Sequence, residues 1–141
     1  MKKKILIVNS NYYKDISKNL ILIAKKKLYK KNFKVSILDV PGIYEIPIAI
    51  RMNIKKFDGF VALGCVIKGE TYHFEIVANE SSRALTDLSI NYSTPIGNGI
   101  LTVSDKDQAI RRSDPNQLNK GAGAALACLS LINIKNSIDY E

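Results

Sequence analysis

Lys4-Ile5-Leu6-Ile7-Val8-Asn9-Ser10 is a short, unbroken apolar run that stops on two small polar residues. A run of this length without polar–apolar alternation reads as a strand buried on both faces, the pattern of a parallel sheet covered by helices. Working outward, Ile16, Leu20, Ile23, Ala24 and Leu28 recur at helical spacing with lysines opposite them, which predicts a helix over about residues 15–30. Phe33–Val40 is β-branched and closes at Pro41-Gly42, a second strand ending in a turn. A helix is expected from Glu45 to about Lys56, and the apolar run Gly59–Val66 gives a third strand. A long helix follows from near Thr71 to about Leu88, with Phe74, Val77, Ala78, Leu85 and Leu88 as its inner stripe. Pro95–Val103 supplies a fourth strand, 106–112 a short helix, and about 120–134 a last helix whose small residues Gly121–Cys128 favour close packing. Strand and helix alternate throughout, so the expected architecture is α/β, a parallel sheet wrapped on both faces. With no linker, low-complexity tract or internal repeat, residues 1–141 are expected to form one domain.

Composition narrows the function classes. Hydrophobic residues make up 46% and charged residues 24% of the chain, values of an ordinary globular protein. The two cysteines, Cys65 and Cys128, lie in apolar segments without ligand spacing, and His73 is the sole histidine, which argues against a zinc site and for buried free thiols. The apolar run after Met-Lys-Lys-Lys ends too early for an exported leader, and no stretch nears the ~20 apolar residues of a membrane span. A cytoplasmic protein is expected. The formal charge of +8 sits largely on dispersed lysines such as Lys25-Lys26-Lys27, Lys30-Lys31 and Lys55-Lys56, which read as solvated helix faces. Without interleaved aromatics or a nucleic-acid motif, the charge supports an anionic metabolite as partner more than a nucleic acid.

In a parallel α/β sheet, ligands gather where strands end and helices begin. The unusual residues stand at just those junctions. After the third strand, Gly64-Cys65-Val66-Ile67-Lys68-Gly69-Glu70-Thr71-Tyr72-His73-Phe74 brackets a strand end with glycines and runs into a helix start, where free backbone N–H groups suit a phosphate. The Glu70 carboxylate would repel such an anion, so its backbone is the part expected to face it. His73 is either a surface or capping residue or a proton shuttle; the helix dipole disfavours an imidazolium there. After the second strand, Glu45 in Pro41-Gly42-Ile43-Tyr44-Glu45-Ile46-Pro47 is either a helix-start charge or an acceptor for sugar hydroxyls. Tyr12 and Tyr13 are core aromatics or a platform for a flat heterocycle. Arg111 and Arg112 end the short helix, and one guanidinium fork at a phosphate pocket is what phosphate elimination needs.

Taken in order, Pro-Gly-Ile-Tyr-Glu-Ile-Pro (41–47), the segment 64–74, Gly-Ile-Leu-Thr (99–102) and Asn-Lys-Gly-Ala (119–122) resemble the 6,7-dimethyl-8-ribityllumazine synthases across almost the whole chain. The resemblance implies a flavodoxin-like three-layer α/β/α sandwich with a four-stranded parallel sheet. It implies a transferase without metal or cofactor, acting in riboflavin biosynthesis. In that reaction the 5-amino group of 5-amino-6-(D-ribitylamino)uracil attacks the ketone of 3,4-dihydroxy-2-butanone 4-phosphate. Imine formation, phosphate loss and ring closure by the ribitylamino nitrogen follow. By position, Tyr12 matches the aromatic that stacks on the pyrimidine. Ile43, Tyr44 and Glu45 match the segment holding pyrimidine and ribityl chain, and Cys65, Val66 and Ile67 the strand end that presents backbone groups to the ring. Glu70 and Thr71 match the phosphate-binding pair and His73 the proton-transfer residue. Asn98 and Arg112 match positions lent by the adjacent subunit, Arg112 to the phosphate.

The chain departs from the family pattern at Tyr13 (commonly Asn), Ile43 (Ala or Ser), Asn98 (often Phe) and in lacking a lysine between Arg112 and Lys120. Ile43 is expected to narrow the pocket if it faces inward, and Asn98 puts stacking from the neighbour in doubt. A flavodoxin-type flavin module fits poorly, since no glycine follows the first strand, and a receiver domain lacks its strand-end aspartates. The remaining alternative is a non-catalytic assembly or flavin- or lumazine-binding relative, against which Glu45, His73 and Arg112 argue. The family forms pentamers, decamers or shells of sixty subunits. With its first strand beginning at Lys4, this chain is expected to be a homopentamer with sites at subunit interfaces and riboflavin synthase as a further partner.

Overall fold

The computed structural model describes residues 2–137; Met1 and residues 138–141, the outermost positions of the expected domain, lie outside the described residues. Nine elements follow one another: β1 (Lys4–Ser10), α1 (Lys14–Lys30), β2 (Lys34–Val40), α2 (Glu45–Met52), β3 (Gly59–Ile67), α3 (His73–Tyr92), β4 (Ile96–Val103), α4 (Lys106–Ser113) and α5 (Lys120–Ser137). The strands form one all-parallel sheet in the order β2-β1-β3-β4, with Ile5 opposite both Val35 and Gly59, and Phe60 opposite Ile96.

The reason is visible in the two central strands. Ile5, Ile7, Val61 and Leu63 point to one side of the sheet and Leu6, Val8, Phe60 and Ala62 to the other, and all are buried. Each of the larger side chains contributes roughly 1.5–3 kcal/mol only if the face it points to is covered, so the sheet needs helices on both sides. Ile16, Leu20, Ala24 and Leu28 of α1, Ala109 of α4 and Ala124, Ala125 and Cys128 of α5 cover one face. Ile46 and Ile50 of α2 and Val77 and Leu85 of α3 cover the other. The result is the helix-wrapped parallel sheet expected from the sequence pattern, in the flavodoxin-like three-layer form that the resemblance implies.

Helix boundaries shift in informative ways. α2 stops at Met52 rather than near Lys56, because the Asn53 amide donates to the Ala49 carbonyl (2.8 Å) and the following turns close through tighter bonds, Asn53 N–H to Ile50 O and Lys56 N–H to Asn53 O. α3 begins at His73, two residues after the expected start, and continues to Tyr92, where Ser93 takes a left-handed conformation (φ 48°) that ends it. Thr71 therefore belongs to the loop. Ile23, read as part of the inner stripe of α1, is only half-buried and lines a groove toward Leu118 and Lys120; Ser17 is buried instead, its hydroxyl donating to the Ser10 carbonyl (2.8 Å).

The small residues of α5 serve the predicted purpose. A Cβ on Gly97 of β4 would collide with the backbone carbonyl of Ala124, and one on Gly121 with that of Leu20 in α1. Backbone cannot swing aside as a side chain can, so Gly97→Ala is expected to destabilise the fold by about 3 kcal/mol, the upper part of the usual overpacking range. Urea denaturation of the variant against the parent measures it, and a change under ~1 kcal/mol would show that α5 can retreat from the sheet.

Candidate active site

The loops leaving β1, β2 and β3 meet at one edge of the sheet. β1 is flanked by β2 on one side and β3 on the other, so chain leaving the two central strands diverges and opens a crevice between them. A cleft of about 350 Å³ lies there, lined by Ser10, Tyr12, Tyr13, Gly42, Ile43, Tyr44, Glu45, Cys65, Val66, Ile67, His73 and Val77. Eight of the residues singled out from sequence thus share one wall: Tyr12, Ile43, Tyr44, Glu45, Cys65, Val66, Ile67 and His73.

Local chemistry sets each of them. Pro47 sits in the first turn of α2, where a missing N–H costs nothing, and fixes the helix start that presents Glu45. The Glu45 carboxylate folds back over Gly42: a Cβ there would lie 2.9 Å from Oε1. Gly64 makes comparable room, since its Cβ would meet Ile43 Cδ1 at 2.6 Å. Ile43 is accordingly buried, its side chain seated over Gly64 as cleft floor between β1 and β3. Tyr12 and Tyr44 are exposed, with flat rings available to a ligand. His73 is exposed at the first position of α3, and its own N–H points at Thr71 Oγ1 (3.4 Å).

The other expected residues lie elsewhere. Glu70 and Thr71 are exposed in the loop before α3 and do not line the cleft. Asn98, exposed on the edge strand β4, accepts the Ile100 N–H with its Oδ1 (3.0 Å) and lines a second, polar cleft of about 340 Å³ with Asn79, Ser82, Thr102 and Lys120. Arg112 is half-buried at the end of α4, with Nη1 3.5 Å from the Gln108 carbonyl and no ion pair among the described residues. Asn119 locks this region: its amide donates to the Ser113 carbonyl (2.7 Å) and its Oδ1 accepts the Ala122 N–H (3.1 Å), so the end of α4 and the start of α5 hold a fixed relation. Tyr13 entered the sequence reading as a core aromatic or a platform for a flat heterocycle, and as a departure from the family pattern, and Lys120 only as a helix start. Their places in the two clefts follow from packing between elements far apart in sequence, which no local pattern announces.

Known proteins resemble this chain along nearly its whole length. The family model for 6,7-dimethyl-8-ribityllumazine synthase matches residues 2–136. A 6,7-dimethyl-8-ribityllumazine synthase of Agrobacterium fabrum is 47% identical over 97% of this chain and 97% of its own length. Those of Bartonella tribocorum and Methylorubrum populi are 49% and 44% identical, over 96% and 98% of this chain and 93% and 86% of their own lengths.

Neither cysteine is poised as a nucleophile. Burial pushes the Cys65 thiol up to about 11, against a small opposing pull from the Lys106 charge, and pushes Cys128 up to about 12, partly offset by a backbone hydrogen bond at Phe60. Because these folded-state values lie above the ordinary 9.0, their contribution to stability is full below pH 9.0 and is lost as pH rises through about 11 for Cys65 and about 12 for Cys128. Iodoacetamide is expected to label the native protein negligibly at neutral pH and both thiols after unfolding, read by mass spectrometry. Rapid native labelling of Cys65 would contradict its burial.

Proposed function

The chain belongs to the 6,7-dimethyl-8-ribityllumazine synthase family, and we propose that the crevice at the ends of β1 and β3 is where it carries out that family's transferase step of riboflavin biosynthesis. The observation that carries this reading is the partition of residues. One cleft gathers an exposed flat ring, a carboxylate and a histidine, while Asn98 with Lys120 and, separately, Arg112 do not line it.

In this assignment the pyrimidine lies against Tyr12 and along the strand end Cys65–Ile67, whose backbone meets the ring polar groups. The ribityl hydroxyls donate to Glu45, which Gly42 leaves free to turn toward them. The butanone phosphate sits by the loop Glu70–Thr71. Holding amine and ketone in register supplies the larger part of the acceleration, since good orientation is worth roughly 7–11 kcal/mol. As the amine adds to the carbonyl a proton must leave nitrogen and one must reach oxygen; His73 stands at the cleft to move them. Water leaves to give the imine, phosphate then departs, and the ribitylamino nitrogen closes the ring with loss of a second water. The matched relatives favour this catalytic reading over a non-catalytic assembly or binding relative.

The family is oligomeric, and in our reading the oligomer is a pentamer in which Asn98, Lys120 and Arg112 of one subunit complete the cleft of the next. Exposed apolar side chains on α2 and α3, among them Ile48, Met52, Ile76 and Ile90, support such contacts. Riboflavin synthase, which consumes the product, remains the proposed partner, and the cytoplasm the proposed compartment; no described helix is long and apolar enough to cross a membrane.

Incubating the pure protein with both substrates and following lumazine absorbance tests the activity. Because His73 is exposed and solvent can replace it, His73→Ala is expected to lose only about tenfold, less than the usual ~10²–10⁴ of a proton-transfer group. Arg112→Ala is expected to lose about 10²-fold, as for a charge-assisted contact worth roughly 1.5–3 kcal/mol. The reverse order would overturn the assigned roles. Co-assembly of Arg112→Ala with Glu45→Ala subunits should recover activity that neither shows alone, and no recovery would sink the shared site.

A further inference from the structure

The loop after β1 faces a cation that the chemistry above leaves unused. Lys106, the first residue of α4, places its ammonium 5.2 Å from the centroid of the Tyr13 ring. Tyr13 is half-buried, packs on the core beneath α1 and α5, and also lines the candidate cleft. It meets Tyr12 edge-on, with ring centroids 4.9 Å apart and planes at 74°. Tyr12 itself is 70% exposed, so little besides this contact orients it.

The backbone here is well held. Asn11 N–H donates to Val40 O (3.4 Å), Ser17 N–H to Tyr13 O (2.9 Å) and Ser17 Oγ to Ser10 O (2.8 Å). Those bonds fix where the two rings start but not how they turn about their side-chain bonds. The start of α4 is equally firm: Asp105 Oδ1 accepts the Gln108 N–H (2.8 Å) and Gln108 Oε1 accepts the Ser104 N–H (2.8 Å). Lys106 is thus presented from a capped helix end, and it joins no ion pair among the described residues. An ammonium over an aromatic face is attracted by the ring quadrupole.

We propose that Lys106 is a positioning residue for the known reaction: resting on Tyr13, it holds the Tyr13–Tyr12 pair in the orientation that offers the free face of Tyr12 to the flat ring of the ribitylaminopyrimidine. This rests on the assignment of Tyr12 to the pyrimidine. The contact of Lys106 is with the Tyr13 ring, so the role proposed for it is one of orienting rings and not of binding phosphate.

Steady-state kinetics with each substrate varied in turn tests it on the wild type, Lys106→Met and Lys106→Arg. Loss of a cation–π contact at an exposed site corresponds to a rise of about two- to fivefold in KM for the ribitylaminopyrimidine. KM for the butanone phosphate and kcat are expected to stay at wild-type values, and Lys106→Arg to restore the pyrimidine KM, since a guanidinium also stacks on an aromatic face. If Lys106→Met does not fold, Lys106→Gln titrated with the lumazine product by fluorescence gives the same comparison as a weakened Kd. An unchanged pyrimidine KM, a change confined to the butanone phosphate, or a fall in kcat alone overturns the role of Lys106. A wild-type protein that forms no lumazine sinks the cleft assignment instead.

Discussion

Burial of both faces of β1 and β3 is the constraint from which the rest of the structure follows. Such strands cannot be joined by tight hairpins, because a parallel neighbour must be entered from the same end and the connection has to cross a face as a helix. All four strand exits therefore fall along one rim. With the order β2-β1-β3-β4, the helix after β1 and the helices after β2 and β3 leave to opposite faces, and the rim splits between β1 and β3. Three loops distant in sequence are thereby brought to one crevice without any direct attraction between them.

Close packing then fixes distances along that rim. α5 can lie against β4 and α1 because Gly97 and Gly121 remove the side chains that would stand between backbones. Asn119 ties the same helix to the end of α4, and Asp105 with Gln108 ties the other end of α4 to β4. The short helix is held at both termini. Lys106 at one end and Arg112 at the other are consequently set by the scaffold rather than by flexible loop, which is how a functional group keeps its place on a surface.

Most of the fold was legible in the sequence because it is written in local patterns. The unbroken runs Lys4–Ser10 and Gly59–Val66 and the small residues of α5 report burial directly, whereas of the stripe read on α3 only Val77 and Leu85 are fully buried and Phe74, Ala78 and Leu88 are half-buried. Boundaries slipped where a side chain competes with the helix ladder, as Asn53 does at the end of α2, or where a loop keeps helix-compatible residues, as before His73. The candidate site was legible as a set of junction residues but not as a geometry. Tyr12, Glu45 and His73 meet because the topology demands it, whereas Asn98 and Arg112 point elsewhere, a fact of three-dimensional direction that spacing along the chain does not carry. Lys106 and Tyr13 lie some ninety positions apart, and only packing of α4 near the start of α1 makes them neighbours.

Electrostatics gives the partition of residues its sense. The residues lining the crevice include one carboxylate, Glu45, and no lysine or arginine. Lys106 reaches Tyr13, and Lys68, the cation in the loop before α3, lies 4.0 Å from Glu75. A phosphate ester entering this cleft alone would meet a like charge and find only helix-start N–H groups as compensation, worth typically ~0.3–1 kcal/mol at an exposed site. Binding and expelling phosphate asks for a fork-shaped cation that does not belong to the same wall. Arg112, in no ion pair among the described residues and fixed at the far end of a capped helix, has the right chemistry but does not line its own cleft. In the proposed assembly a neighbouring copy would bring its arginine to this cleft and supply the missing charge, which would make assembly a condition of the chemistry rather than an addition to it.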